Sequence, residues 1–198
     1  MEFSRAKRSQ KPRQPLDESE LHEYALKLLG QQMRTMADLR RKLRSRAEPG
    51  DQGAASVQAV LERLQAYKLV DDGAYAENFV QMRQQNQKHG PRRLRNDLAT
   101  KGVDRELAAR TVEARFADVD EVQLAREHLE RKRIQKPEDA RQTARVMRRL
   151  VAAGFSARTI HAVLRQWNVA LENEVEELDG DAPEWDAPEQ EEPEHGDA

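Results

Sequence analysis

Apolar residues recur along this chain at spacings of three and four, and no stretch alternates convincingly with period two, which predicts helices rather than strands. Asp17 and Glu20 form a capping-box pair ahead of Leu21, Tyr24, Ala25, Leu28 and Leu29, a one-faced helical stripe. Thr35 with Asp38 predicts a second helix carrying Met36, Leu39 and Leu43. After the loop AEPGDQGAA, Ser56 is expected to cap a third, with Val57, Val60, Leu61 and Leu64. Asp72 is expected to start a fourth helix with Tyr75, Ala76, Phe79 and Val80 on one face. Gly90-Pro91 opens a fifth, proline suiting a first turn, and Leu94 and Leu98 form its stripe. Gly102 ends it in the position where glycine adopts positive φ. Asp104 begins a sixth, with Leu107, Ala108, Val112 and Phe116. The stripes Leu124, Ala125, His128, Leu129 and Val146, Met147, Leu150, Val151 follow, the second opened by Pro137 and stopped by Gly154. Ser156 caps the last, with Ile160, Val163, Leu164 and Trp167.

These stripes align with one another. Tyr24-Ala25, Tyr75-Ala76 and Leu124-Ala125 correspond, as do Leu39/Leu43, Leu94/Leu98 and Val146/Leu150, and Gly102-Val103 matches Gly154-Phe155. A period of about 50 residues built of three short helices predicts an all-α fold of three tandem three-helix repeats in an elongated, curved array. The expected boundaries are 16–71, 72–118 and 119–170, between a disordered basic tail (1–15) and a disordered acidic tail (171–198). Helices of this size, packed 8–10 Å apart, imply a body of roughly 60–80 Å.

Composition narrows the function. The 198 residues include no cysteine, which excludes a disulfide framework, a thiolate nucleophile and Cys-ligated metal. No apolar run approaches the roughly 20 residues of a membrane span, and the basic N-terminus lacks a signal-type apolar region, so no membrane partner and a cytoplasmic location are expected. The net charge of -2 is a cancellation: residues 1–15 carry +4, residues 16–170 carry +7, and residues 171–198 carry thirteen acids and no Lys or Arg. A basic body of this kind points to an anionic partner.

Enzyme chemistry finds no support. The nine glycines form neither GxGxxG nor GxxxxGK, and the five histidines show no ligand spacing, so no cofactor or metal is expected. His128 falls on an apolar stripe and reads as a core or boundary residue. The basic residues are more informative, since Arg, with its planar fork, accounts for 25 of the 34. Arg141, Arg145 and Arg148 fall within about 60° of arc, and Arg40, Arg41 and Arg44 within about 100°, each set away from its helix's apolar stripe. Arg92, Arg93 and Arg95 flank Leu94 and Leu98. Each predicted second helix thus carries a basic ridge, readable as a solvated face or as a phosphate-binding surface. Few aromatics accompany the ridges, so base stacking is not indicated.

The stretch VDDGAYAENFVQMR (70–83) resembles the "L-D-D-x-x-Y-A-x-x-F-V-x-x-R" pattern of the RecX regulatory proteins. GPRRLRNDLATKGV (90–103) is similar to that family's "G-P-x-R-L-x-x-x-L-x-x-K-G-V", and Thr35, Asp38, Leu39, Lys42 and Leu43 match its first-unit "S-x-x-E-L-x-x-K-L". The resemblance spans about residues 20–168. It implies tandem three-helix repeats and a regulator that binds the RecA–DNA filament, limits its extension and inhibits recombinase and coprotease activity. It also implies direct contact with single- or double-stranded DNA. By match it assigns contact roles to Arg83, Arg92, Arg93 and Lys101, and motif roles to Tyr75, Gly90 and Pro91. A monomer is expected. The rival readings are a general DNA-binding repeat acting without RecA and an adaptor for an acidic protein. The acidic tail reads as a solubilising segment or as an internal competitor for the basic ridges.

Overall fold

A computed structural model describes residues 14–167. Residues 1–13 of the basic tail, residues 168–170 and the acidic tail lie outside the described residues. Nine helices appear among the described residues: α1 (Glu18–Gln31), α2 (Met36–Arg44), α3 (Asp51–Ala66), α4 (Asp72–Gln87), α5 (Pro91–Thr100), α6 (Arg105–Phe116), α7 (Glu121–Arg131), α8 (Ala140–Ala152) and α9 (Ala157–Gln166). The sole β pairing among these residues is an isolated bridge between Leu16 and Ala47. No described helix is long and apolar enough to cross a membrane.

The helices pack in successive groups along the chain, α1–α3, α4–α6 and α7–α9, in an elongated all-α structure. Each group closes over its own apolar cluster, because a helix of nine to sixteen residues buries one stripe and needs two partners to cover it. Leu21, Ala25, Leu39, Leu43, Val60 and Leu64 form the first cluster. Ala76, Val80, Leu94, Leu98, Ala108 and Val112 form the second, and Leu129, Leu150, Phe155, Ile160, Val163 and Leu164 are in the third. Phe116 packs against both the second and the third cluster, which ties α6 to the following group. The residues that align between stripes occupy equivalent depths: Ala25, Ala76 and Ala125 are fully buried, as are Leu39, Leu43, Leu94, Leu98 and Leu150.

Local signals explain most boundaries. Asp17 and Glu20 form a reciprocal capping box, with hydrogen bonds of 2.9 and 3.0 Å. The side chains of Thr35, Asp104 and Ser156 cap α2, α6 and α9. Gly102 (φ 80°) and Gly154 (φ 89°) follow α5 and α8 in the left-handed region.

Four expectations are corrected. Helix α3 starts at Asp51, not after Ser56, because buried Gly53 lets the helix press against Glu48: a Cβ there would lie 1.8 Å from the Glu48 carbonyl oxygen. Asp71, not Asp72, caps α4, accepting from the Gly73 and Ala74 amides at 2.8 and 3.0 Å. Helix α8 begins at Ala140 under an Asp139 cap, three residues beyond Pro137. Val151, assigned to the α8 apolar stripe, is exposed, since Val146 and Leu150 already fill the contact.

Candidate functional site

The three arginine-bearing helices meet end to end. At the first junction the N-terminus of α5 sits on the C-terminus of α8. The Gly90 amide donates to the Ala153 carbonyl (2.8 Å) and the Arg92 amide to that of Gly154 (3.1 Å). Arg93 Nη1 donates to the Ala152 carbonyl at 3.0 Å. A helix end leaves amides or carbonyls without intrahelical partners. Here the orphan donors of α5 and the orphan acceptors of α8 satisfy one another. Gly90 has an ordinary φ of -77°, so its role is close approach: a Cβ would stand 2.5 Å from the Gly154 oxygen.

At the second junction the C-terminus of α5 meets the N-terminus of α2. The Thr35 hydroxyl donates to the Lys101 carbonyl (2.7 Å) while accepting from the Asp38 amide (3.1 Å). Asp72, relieved of capping its own helix, accepts from the Met36 amide at 2.8 Å. A Cβ on Gly102 would fall 2.3 Å from that of Ala37. The order α8→α5→α2 therefore runs head to tail, with 13, 10 and 9 residues in the three helices. At 1.5 Å per residue that is about 48 Å of helix. Each positive dipole end meets a negative one, so the helix dipoles cancel at the junctions and the charge along this line is that of its side chains.

Those side chains divide into two sets. Arg40, Arg44, Arg92, Arg95, Lys101, Arg141, Arg145 and Arg148 are exposed. Arg41 is exposed but paired with Asp38 at 2.5 Å, a carboxylate that also holds Arg34 at 2.8 Å. Burial works to raise the Asp38 pKa, but the Arg34 hydrogen bond and the charges of Lys42, Arg34 and Arg41 outweigh it, leaving it lowered. Arg93, expected on the surface, is half-buried and committed to the α8 carbonyl, with Nε 3.7 Å from Asp97. Burial raises the Asp97 pKa, opposed chiefly by Arg93 and Arg83. Arg83 on α4 lies with its guanidinium 5.2 Å from the Phe79 ring centroid and donates to Gln87 Oε1 at 2.6 Å.

Tyr75 stacks on Phe79 at a centroid distance of 6.1 Å, half-buried beside the second cluster. Burial, with the nearby Asp38 carboxylate, pushes its phenol pKa up. Pro91 supplies the N1 position of α5. Sequence reasoning missed Thr35, Asp72 and Ala153 as junction residues. The paired glycines Gly102 and Gly154 were the available signal. Among the described residues no cluster of three or more His, Cys, Asp or Glu is placed to hold a metal.

Comparison with known proteins gives one consistent family. Residues 71–112 match the family model described as RecX, second three-helix domain. The regulatory protein RecX of Mycolicibacterium vanbaalenii is 38% identical over 129 residues, covering 64% of this chain and 68% of that one. That of Thermus thermophilus is 35% identical over 155 residues, covering 78% and 94%. The crystal structure of RecX from Lactobacillus salivarius superposes with a TM-score of 0.62 at 23% identity, over 77% of this chain and 97% of that one, and shows a shared fold. With Val70, Ala76, Val80, Leu94, Leu98 and Val103 of the motifs buried, and with relatives at 30% identity or more matched over two thirds or more of their length, the chain belongs to the RecX family of regulatory proteins.

Proposed function

We propose that the protein regulates the RecA recombinase by binding the RecA–DNA filament and restraining its recombinase and coprotease activity, as a cytoplasmic monomer. In this reading the helix groups are three tandem repeats with boundaries at 16–71, 72–118 and 119–170. The observation that carries it is the end-to-end line of α8, α5 and α2, which presents exposed arginines over about 48 Å of helix. A filament is a long periodic polyanion-bearing surface, and a long line of guanidinium forks with few aromatics suits phosphates and carboxylates on such a surface. Contacts to phosphate supply salt-sensitive affinity with little sequence preference.

The same arginines support a second reading, a DNA-binding repeat that acts without RecA. RecA-catalysed ATP hydrolysis and strand exchange on single-stranded DNA, with and without stoichiometric protein, test the first reading. Inhibition that is lost with Arg40→Glu/Arg95→Glu/Arg145→Glu supports it, and no effect on either activity refutes it. Salt-sensitive DNA binding with no influence on RecA supports the second.

A further inference from the structure

At the junction of α4–α6 with α7–α9 the chain forms an open groove of about 530 Å³. Five cations line it, Arg83, Arg93, Arg131, Lys132 and Arg149, and no Asp or Glu does. They come from four separate places: the C-terminal parts of α4, α7 and α8, and the first turn of α5. Asp97 is paired with Arg93 at 3.7 Å and Glu127 with Lys88 at 2.8 Å. Among the described residues Arg131, Lys132 and Arg149 form no ion pair.

Helix C-termini attract cations, and three of them converge here. Each carries about half a negative charge, and that of α8 is met by the N-terminus of α5. Roughly one unit of negative dipole charge and one carboxylate therefore face five cations, which leaves an excess of about three positive charges.

Two histidines, His89 and His128, also line the groove. His89 lines it and is only 9% exposed, and its Nδ1 is fully buried without a hydrogen-bond partner. The buried Arg93 Nε faces the Asp97 carboxylate at 3.7 Å. Neighbouring His128, by contrast, has its Nδ1 satisfied by the Gln87 carbonyl at 3.0 Å.

We propose that this groove is a phosphate-binding site, taking a ligand with two or more phosphate groups. The guanidinium forks of Arg83, Arg131 and Arg149 match phosphate oxygens in bidentate geometry, and Lys132 adds a point charge beside them. A volume of about 530 Å³ lies in the range of small-ligand sites. The excess positive charge matches the multiple negative charges of a polyphosphate or of consecutive phosphodiesters, which share this chemistry. Burial, together with the surrounding Arg93, His128, Arg83 and Lys132, holds the His89 pKa down to about 3. A bound phosphate reverses much of that field and raises it.

Titration of the full chain with inorganic pyrophosphate, and separately with a six-residue oligothymidylate, followed through the His89 and His128 ring resonances, tests the proposal. RecA is absent, so failure here is separate from failure of the filament reading. Saturable movement of the His89 resonance, with its pKa raised, supports the site. Saturation by pyrophosphate assigns a free polyphosphate as the source, and saturation by the oligonucleotide alone assigns a nucleic-acid backbone. Lys132→Gln/Arg149→Gln alters exposed side chains, so the fold is retained by circular dichroism while affinity falls at least tenfold. An unmoved His89 resonance with both probes, or equal affinity in the variant, overturns the proposal. So does saturation only by a synthetic peptide of residues 171–198.

Discussion

Replacing Gly90 by alanine places a methyl group 2.5 Å from the Gly154 oxygen and 2.6 Å from its carbonyl carbon. The backbone at Gly90 is extended, with φ -77° and ψ 167°, so alanine carries no conformational strain and the perturbation is a clash between two helix groups. Overpacking of this kind costs about 1–3 kcal/mol. If the junction opens to relieve it, the Gly90–Ala153 and Arg92–Gly154 backbone bonds are lost, each worth a net of about 0.5–1.5 kcal/mol. Either route therefore predicts a destabilisation of about 1–3 kcal/mol. Urea denaturation gives the total. Amide hydrogen exchange at Gly90 and Arg92 locates it, with protection lost there and retained at Leu98. Gly30→Ala is the control, because nothing lies within 4 Å of the added methyl and a glycine in a helix gains about 0.5–1 kcal/mol from the change. An unchanged urea midpoint for Gly90→Ala, or unchanged protection at both amides, would refute the end-to-end junction.

Gly102→Ala adds strain at φ 80° to a 2.3 Å approach to Ala37, so it destabilises by about 2–4 kcal/mol in the same urea assay. His89 and His128 are both held below their ordinary pKa by burial, so the unfolded chain binds protons that the native chain does not. Stability therefore falls as pH drops below 6.5, by about 2 kcal/mol from His89 alone between pH 6.5 and 5, and His89→Gln flattens that part of the pH profile. Ending the chain after Ala170 removes thirteen acidic residues; DNA affinity measured over a salt series is expected to rise most at low salt, and equal affinity assigns the segment to solubility alone.

Helix stripes were legible because each short helix has a single face to bury. Leu39, Leu43, Leu94 and Leu98 stand at helical spacing, and all four are fully buried. Helix α4 was less plain, since buried Gln84 interrupts its stripe and is satisfied by Arg115 Nε at 2.6 Å from α6, a partner that no local pattern reveals. The start of α4 was ambiguous because Asp71 and Asp72 are equally good caps by local chemistry. Only the Met36 amide, 36 residues away in sequence, decides between them. The basic ridges were visible as counts and phases, but not which members are exposed. Arg93 looks like Arg92 and Arg95 in the sequence, yet its guanidinium holds the Ala152 carbonyl 59 residues on. Gly90 and Gly154 each read as a local helix boundary. Their mutual contact depends on how two groups dock, which periodicity within either group does not encode. The basic groove is legible only in three dimensions, because its cations come from four separate helices.

The central claim is that the exposed arginines on α2, α5 and α8 act together on a RecA filament. The most direct test measures RecA ATP hydrolysis on single-stranded DNA against increasing protein, wild type beside Arg40→Glu/Arg95→Glu/Arg145→Glu. Inhibition near stoichiometric protein that weakens with salt and disappears in the variant is the predicted result. Undiminished inhibition by the variant, or no inhibition by the wild type, would contradict it.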